Sequence, residues 1–327
     1  IWTVQLGTGT TDSAQGLSID SQGNLYLAGY TSGDLQGNGN AGKQDLVLVK
    51  YNSNGDRQWT RQIGVSGDDV AFASATDSSG NVYAAGYTEG GLDGNTHIGS
   101  FDLFLIKYDS NGSKLWSVQH GTSAKDVIFA IATDASDDVY VAGYTAGNLD
   151  SNTSDGDDDL ILIKYDSSGT RQWTQQYGSS GSDYARGISL DSSGNIYVVG
   201  DTSGGLGSNS NSGSEDLFLI KYDSSGNLQW TKQLGTFTND VAFDVATDSS
   251  GNSYVTGYTG GSLDSNTHSG ELDLFLVKYD TSGNKSWSKQ MGTSTSDYAR
   301  GVSVDADGNV SFTGYTTAAL DGQTHYG

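Results

Sequence analysis

Six tryptophans divide this sequence at equal intervals of 57 residues. They are Trp2, Trp59, Trp116, Trp173, Trp230 and Trp287. A glutamine follows each of them three residues later, at Gln5, Gln62, Gln119, Gln176, Gln233 and Gln290. A register that holds along a chain of 327 residues indicates one supersecondary unit copied many times, not several unrelated domains.

Each repeat contains four short segments with the composition of β-strands. In one repeat, GISLD (187–191) and NIYVVG (195–200) flank the turn sequence DSSGN, in which Gly194 supplies the left-handed residue that a short hairpin needs. A third segment, DLFLIKYD (216–223), leads into a second DSSGN turn and then LQWTKQLG (228–235). The pattern predicts four strands per repeat, with tight turns after the first and third and longer connections after the second and fourth.

No part of the sequence keeps the 3.6-residue apolar period of an amphipathic helix, so we expect an all-β fold. Four-stranded units repeated around a ring describe a β-propeller, whose blades are buried on both faces. That burial explains a third strand as continuously apolar as DLFLIKY. A linear β-solenoid is the competing all-β repeat, but its coils are much shorter.

The repeat unit also resembles a known family. It reads D-x-A-x-G-[IV]-[SA]-x-D-S-S-G-N-x-Y-V-x-G-Y-T, followed by D-L-F-L-I-K-Y-D-S-S-G-N-x-x-W. This pattern resembles the bacterial SBBP β-propeller repeats and is more distantly similar to NHL-type propellers. The resemblance covers the whole chain. It implies a propeller fold and a place in exported or surface bacterial proteins, but it implies little about function.

We expect residues 1–327 to form a single propeller domain of six blades, each of four antiparallel strands. The last repeat is incomplete, because it contains the first two strands and not the third. The N-terminal strand, IWTVQLG (1–7), is expected to close this last blade. The missing strand could follow Gly327 in a longer chain, be donated by another chain, or be replaced by further repeats.

One repeat departs from the turn pattern. It reads DASDD, with Asp137 and Asp138 where glycine and asparagine are expected. We therefore expect this turn to be strained or to be compensated by other contacts.

The charge of the chain limits the partners it can bind. There are 39 Asp and Glu residues against 16 Lys and Arg. The chain has no cysteine. We expect no nucleic-acid binding, because an acidic surface repels a polyanion. No apolar run approaches the ~20 residues of a membrane helix, so no membrane insertion is expected.

In a propeller of this strand order, the long connections share one face, and we expect a protein or glycan partner there. One aspartate per repeat precedes the innermost strand: Asp12, Asp69, Asp126, Asp183, Asp240 and Asp297. Six carboxylates around an axial channel would make a cation site. The alternative is that each carboxylate accepts hydrogen bonds from nearby amides and joins one blade to the next.

A second candidate metal site is the loop at 148–159. Its oxygen-bearing side chains suit Ca²⁺, which gathers six to eight oxygen ligands. The candidate ligands are Asp150, Asn152, Asp155, Asp157 and Asp159. Histidine stands at one equivalent position in other loops, at His97, His268 and His325, and imidazole is a poor calcium ligand. Solvated loops with internal turns are the alternative.

Other recurring side chains allow two interpretations each. The tryptophans could be sugar-binding platforms or could cover the edge of each blade. A lysine recurs in the third strand, and we expect it to reach the surface or pair with an aspartate. These lysines are Lys50, Lys107, Lys164, Lys221 and Lys278.

An enzyme requires asymmetry, and few residues break the repeat. Asp201 replaces a recurring tyrosine, His120 stands alone in a strand, and the five arginines form no cluster visible in the sequence. The leading hypothesis is a non-enzymatic, extracellular or cell-surface bacterial module for binding or scaffolding, with bound Ca²⁺. A repeated-site lectin is the alternative, and a lyase or hydrolase is the third hypothesis.

Overall fold

The structure, a computed structural model, describes residues 2–320 and 322–323. It divides into two compact units. Unit 1 comprises Ile1–Thr153 and Ile161–Gln176, and unit 2 comprises Ser154–Leu160 and Tyr177–Gly327. Within the described residues the regular structure is β-strand, with three short 3-10 helices, and no helix is long and apolar enough to cross a membrane.

Unit 1 contains three four-stranded sheets whose strands lie in sequence order. The first consists of β1 (Asp12–Ile19), β2 (Leu25–Thr31), β3 (Asp45–Tyr51) and β4 (Arg57–Ile63). The second consists of β5 (Asp69–Thr76), β6 (Val82–Thr88), β7 (Asp102–Tyr108) and β8 (Lys114–His120). The third, most of which lies in this unit, consists of β9 (Asp126–Thr133), β10 (Val139–Thr145), β11 (Asp159–Tyr165) and β12 (Arg171–Tyr177).

Unit 2 contains two four-stranded sheets and one sheet of two strands. The fourth sheet consists of β13 (Asp183–Leu190), β14 (Ile196–Thr202), β15 (Asp216–Tyr222) and β16 (Leu228–Leu234). The fifth consists of β17 (Asp240–Thr247), β18 (Ser253–Thr259), β19 (Asp273–Tyr279) and β20 (Lys285–Met291). The sixth consists of β21 (Asp297–Val304) and β22 (Val310–Thr316). The 3-10 helices of the two units are Leu92–Gly94, Leu149–Ser151 and Leu263–Ser265.

Inside each unit, the first strand of a sheet packs against the preceding sheet. β5 contacts β1 and β9 contacts β5 in unit 1, while β17 contacts β13 and β21 contacts β17 in unit 2. In β15, with sequence DLFLIKY, six of the seven residues are buried. The predicted four-stranded repeat is therefore confirmed, because each third strand is covered on both faces by neighbouring residues.

The DSSGN sequences form the predicted tight turns. The Asp191 N–H donates to the carbonyl oxygen of Asn195 at 3.0 Å, and the Gly194 N–H donates to that of Asp191 at 2.9 Å. Gly194 has φ 77°, which is the left-handed conformation that favours glycine. Asp191 Oδ1 also accepts the N–H groups of Ser193 and Asn195, each at 2.9 Å. The aspartate therefore closes the turn that joins the first two strands.

The DASDD turn is compensated by contacts outside it. Asp137 adopts φ 63° without being glycine. Its carboxylate accepts hydrogen bonds from the N–H of Ser78 at 2.8 Å and the hydroxyl of Ser78 at 3.1 Å. Asp138 forms an ion pair of 2.8 Å with Lys164. Both aspartates therefore have partners outside the turn, and the expected compensation is confirmed.

The sixth sheet differs from the prediction of a four-stranded last blade. Among the described residues it contains β21 and β22 only, and the segment from Trp2 to Thr11 contains no strand. A strand requires a partner edge for its hydrogen bonds, and the given sequence supplies no third strand to this sheet. Trp2 instead contacts the first sheet, where its indole N–H donates to Ser53 at 3.1 Å.

Candidate functional site

The aspartates that precede the first strands are structural anchors in both units. In unit 2, Asp240 Oδ2 accepts hydrogen bonds from the N–H of Thr236 at 2.5 Å and the hydroxyl of Thr236 at 2.9 Å, while Oδ1 accepts the hydroxyl of Thr259. The backbone N–H of Asp240 donates to Glu215 of the preceding sheet at 2.8 Å. Asp69 has equivalent contacts in unit 1, with Val65, Thr88 and Gln44.

Five of these aspartates are fully buried. They are Asp69, Asp126, Asp183, Asp240 and Asp297. Burial raises the pKa of Asp69, Asp126 and Asp240, and raises that of Asp183 to about 6. Each carboxylate accepts hydrogen bonds from nearby donors, as expected for a residue that joins one sheet to the next. In the part of the chain that the structure describes, no three Asp, Glu or His side chains form a potential metal cluster.

The loop at 148–159 is divided between the two units, and its candidate ligands have different surroundings. In unit 1, Asp150 lies 2.7 Å from Arg171 and 2.8 Å from His120, so a calcium ion would have to displace these side chains. Asn152 donates its amide to Leu149 at 2.8 Å. In unit 2, Asp155 and Asp157 are exposed and Asp159 is buried.

The histidines of the equivalent loops pair with carboxylates. His97 Nδ1 lies 3.3 Å from Asp102, and His268 Nδ1 lies 3.4 Å from Asp273. His325 lies outside the described residues. These contacts are made within a single loop and sheet, and they do not assemble a shared histidine site.

The recurring tryptophans pack against the turn of the next repeat. In unit 1, the Trp59 indole N–H donates to Ser110 at 3.2 Å, and its ring centroid lies 5.9 Å from Tyr26. Trp116 makes the same bond to Ser167. In unit 2, the Trp230 ring lies against Gly283 of the following turn. These contacts favour the packing interpretation over that of a free sugar platform.

The recurring lysines and glutamines also form ion pairs or hydrogen bonds. Lys107 pairs with Asp77 at 2.9 Å in a buried contact, which confirms the predicted aspartate pairing. Gln290 Oε1 accepts the Leu263 N–H at 2.9 Å, and its amide donates to Asp273 at 2.8 Å. The polar side chains that recur in every repeat therefore hold strands, turns and loops together.

One position that differs between repeats lies at a β-bulge in the first strand of each sheet. At this position one residue has no partner in the second strand, so the bulge redirects its side chain. The bulge residues are Gln15, Phe72, Phe129, Arg186, Phe243 and Arg300. In unit 1 two of them lie in an aromatic row, in which the Phe72 centroid lies 5.2 Å from that of Phe129 and 5.9 Å from that of Tyr87.

In unit 2 the bulge residues form what we call the arginine–tyrosine cluster. Its members are Arg186, Asp201, Phe243, Tyr298, Arg300 and Tyr315. The guanidinium carbon atoms of Arg300 and Arg186 lie 3.9 Å and 5.8 Å from the Phe243 centroid. Arg186 forms a two-pronged contact with Asp201, and this carboxylate raises the pKa of Arg186 against the effect of burial.

The sequence analysis did not detect this cluster. Arg186 and Arg300 are separated by two complete repeats, and Asp201 lies in a different strand from either. Aligning the repeats on their tryptophans would have placed both arginines at one repeat position. It would not have shown that the bulge turns these side chains toward Phe243, because the bulge depends on strand pairing.

Beside the cluster, Asp244 joins β17 to β21. Its carboxylate accepts the N–H groups of Val302 at 2.8 Å and Val245 at 2.9 Å. Burial raises the pKa of Asp244 to about 6. The native state therefore holds this proton more tightly than the unfolded chain does, because the ordinary value is 3.8.

We expect the charged form of Asp244 to destabilise the protein by roughly 1–3 kcal/mol at pH 8, a penalty that disappears as the pH falls through 6 toward 4. Asp244→Asn removes this titration while keeping the side-chain size. The difference in unfolding free energy between Asp244→Asn and the parent should therefore shift in favour of the parent as the pH falls from 8 to 5. Urea titrations across this range measure it, and a difference independent of pH would contradict the assignment.

Comparison with known proteins gives two curated relatives that share only part of their length with this chain. An uncharacterized WD repeat-containing protein of Acanthamoeba polyphaga mimivirus is 23% identical, and the match covers 98% of this chain and 31% of the relative. The regulatory protein FlaEY of Caulobacter vibrioides is 32% identical, over 54% of this chain and 21% of the relative. The matched regions thus span less than a third of either relative.

Two solved structures are similar in outline. A protein of unknown function from Bacteroides caccae matches with a TM-score of 0.48 and 10% identity, over 89% of this chain and 85% of the other. A gluconolactonase from Xanthomonas campestris matches with a TM-score of 0.49 and 11% identity, over 94% and 84%. Likenesses of this size carry no argument about function.

The repeat family is identified more directly. The SBBP family, described as a beta-propeller repeat, matches residues 1–36, 58–93, 115–150, 172–207 and 229–264. Together these segments cover more than half of the chain, and each one begins within a residue of a recurring tryptophan. The repeated four-stranded sheets and their DSSGN turns agree with this match. The chain therefore belongs to the SBBP beta-propeller repeat family.

Proposed function

We propose that this propeller protein is a non-enzymatic binding module, and that its ligand contacts the arginine–tyrosine cluster. One observation carries the proposal: recurring polar side chains are engaged in structural hydrogen bonds, whereas the bulge position differs between repeats and, in unit 2, places two arginines beside Phe243. A binding surface needs such variation, since identical repeats present identical groups. The WD-repeat and regulatory names of the two relatives agree with a binding role.

The experiment is a screen of the purified chain on an array of neutral and acidic glycans, followed by mass spectrometry of each bound glycan after prolonged incubation. We expect binding without chemical change, and loss of binding in Phe243→Ala. Cleavage of a bound glycan would contradict the non-enzymatic proposal and favour a lyase or hydrolase. Binding that persists in Phe243→Ala and is lost in Trp230→Ala would favour the repeated-site lectin.

We further propose that residues 1–327 form one domain in which six blades close into a ring. The exposed side chain of Phe312 on β22 supports it, since the equivalent residue in β18, Val255, is buried. A strand from another chain would complete the sixth sheet. A synthetic peptide with the sequence of β19, DLFLVKY, should then raise the melting temperature, and a peptide that leaves it unchanged would contradict strand completion.

From the sequence we also propose calcium binding and an extracellular or cell-surface location in bacteria. The acidic loop at 148–159 supports the first, and the family resemblance supports the second. A thermal melt with EDTA and then millimolar Ca²⁺ tests calcium, because a ligand of the folded state adds stability. An unchanged melting temperature would contradict it. Fractionation of the source cells tests the location.

A further inference from the structure

Arg300 is an exposed arginine held in a fixed position by aromatic rings. Its guanidinium carbon lies 3.9 Å from the Phe243 centroid, 5.5 Å from that of Tyr298 and 5.7 Å from that of Tyr315. Contacts of this kind restrain the flat guanidinium while leaving its edges available. A guanidinium carries five N–H donors, and the long 3.5 Å contact with the Tyr315 hydroxyl engages one nitrogen.

The two arginines of the cluster differ in their partners. Arg186 is paired with Asp201, which balances its charge. Among the residues that the structure describes, no carboxylate lies within ion-pair distance of Arg300. The positive charge of Arg300 is therefore available to an incoming anion.

An aromatic platform lies beside this charge. The Tyr298 and Tyr315 rings are stacked with their centroids 4.6 Å apart and an interplanar angle of 23°. Tyr315 is 48% exposed, so one side of the pair faces solvent. A flat apolar surface with hydroxyl groups at its rim suits the face of a sugar ring, and the adjacent guanidinium suits a carboxylate.

We propose that the arginine–tyrosine cluster binds an acidic saccharide, with its carboxylate on Arg300 and its ring on Tyr298 and Tyr315. This inference rests on the proposed binding function and names its ligand class. Arg186 acts as a positioning residue, because Asp201 holds it and its guanidinium carbon lies 5.8 Å from the Phe243 centroid. The pairing of a guanidinium with a carboxylate supplies both attraction and orientation.

The experiment is calorimetric titration of the full chain with oligogalacturonate at about 150 mM salt, a concentration at which charges more than about 8 Å apart are screened. Arg300→Gln should weaken binding at least tenfold. Arg57→Gln, which removes an exposed arginine of unit 1, should leave it unchanged. Methyl-esterified oligogalacturonate should also bind at least tenfold more weakly, because the ester removes the negative charge. Thermal melts of each variant confirm that it is folded.

Several results would overturn the inference. Equal affinity of Arg300→Gln and the parent would show that the guanidinium does not bind the carboxylate, and equal affinity for the methyl ester would show that the carboxylate is not recognised. Binding of poly-glutamate without binding of oligogalacturonate would favour an acidic peptide. Neutral glycans that bind through Phe243 and not Arg300 would leave the binding function standing and remove the acidic ligand class. Absence of all glycan binding would overturn both.

Discussion

Gly257→Ala should destabilise the protein by about 3 kcal/mol or more, as expected for overpacking against backbone that cannot shift. A β-carbon at Gly257 would overlap the carbonyl oxygen of Val241 and lie 2.9 Å from the Cα of Ala242. These atoms belong to β17, which is hydrogen-bonded to β18 on both sides of the bulge at Phe243. Neither strand can move without breaking the pairing that forms the sheet.

The same close approach occurs once in each sheet, opposite the bulge. The glycines involved are Gly29, Gly86, Gly143, Gly200, Gly257 and Gly314. Gly9→Ala is the matched control, because a β-carbon at Gly9 would meet no atom within 4 Å. The measurement is urea-induced unfolding of both variants. A loss below about 1 kcal/mol in Gly257→Ala would mean that the bulge does not force the strands together as described.

Asp240→Ala should cost about 3 kcal/mol, because it leaves buried donors without an acceptor. The carboxylate receives the N–H and hydroxyl of Thr236 and the hydroxyl of Thr259. Removing it also loosens the loop whose backbone links β17 to Glu215 of the preceding sheet. The effect should appear as a lower unfolding free energy at pH 7.

Asp240→Asn is the control, since it keeps the shape and one acceptor oxygen. We expect a loss of about 1 kcal/mol, in the range of a single weakened hydrogen bond. If the alanine variant is as stable as the parent, Asp240 is not an anchor. If both variants melt at the temperature of the parent in EDTA, but added Ca²⁺ raises the melting temperature of the parent alone, the cation interpretation of the recurring aspartates would be correct.

Much of the fold could be predicted because its determinants are local. The DSSGN turn encodes its own geometry through Asp191 and Gly194, and the apolar run of β15 encodes burial on both faces. The 57-residue period then indicates that the four-stranded unit is repeated along the chain. Pairing at the last repeat is not local, and the expected N-terminal strand is not a strand among the described residues.

The candidate site was harder to predict because it depends on register. Arg186 and Arg300 meet at Phe243 only because a bulge interrupts the same place in β13, β17 and β21. A bulge is set by the hydrogen bonds of two strands, and the composition of one strand does not reveal it. The recurring aspartates could be located from the sequence because they repeat, and the structural alternative agrees with the hydrogen bonds that Asp69 and Asp240 accept from their own loops.

We propose that ligand binding depends on residues that vary between repeats. The most direct test is the stoichiometry of ligand binding, measured by titration calorimetry of the full chain with oligogalacturonate. We expect one site per chain, because Arg300 stands beside Phe243 in unit 2 and no second arrangement of this kind occurs among the described residues. Five or six equivalent sites per chain would contradict it and would place binding on the recurring tryptophans.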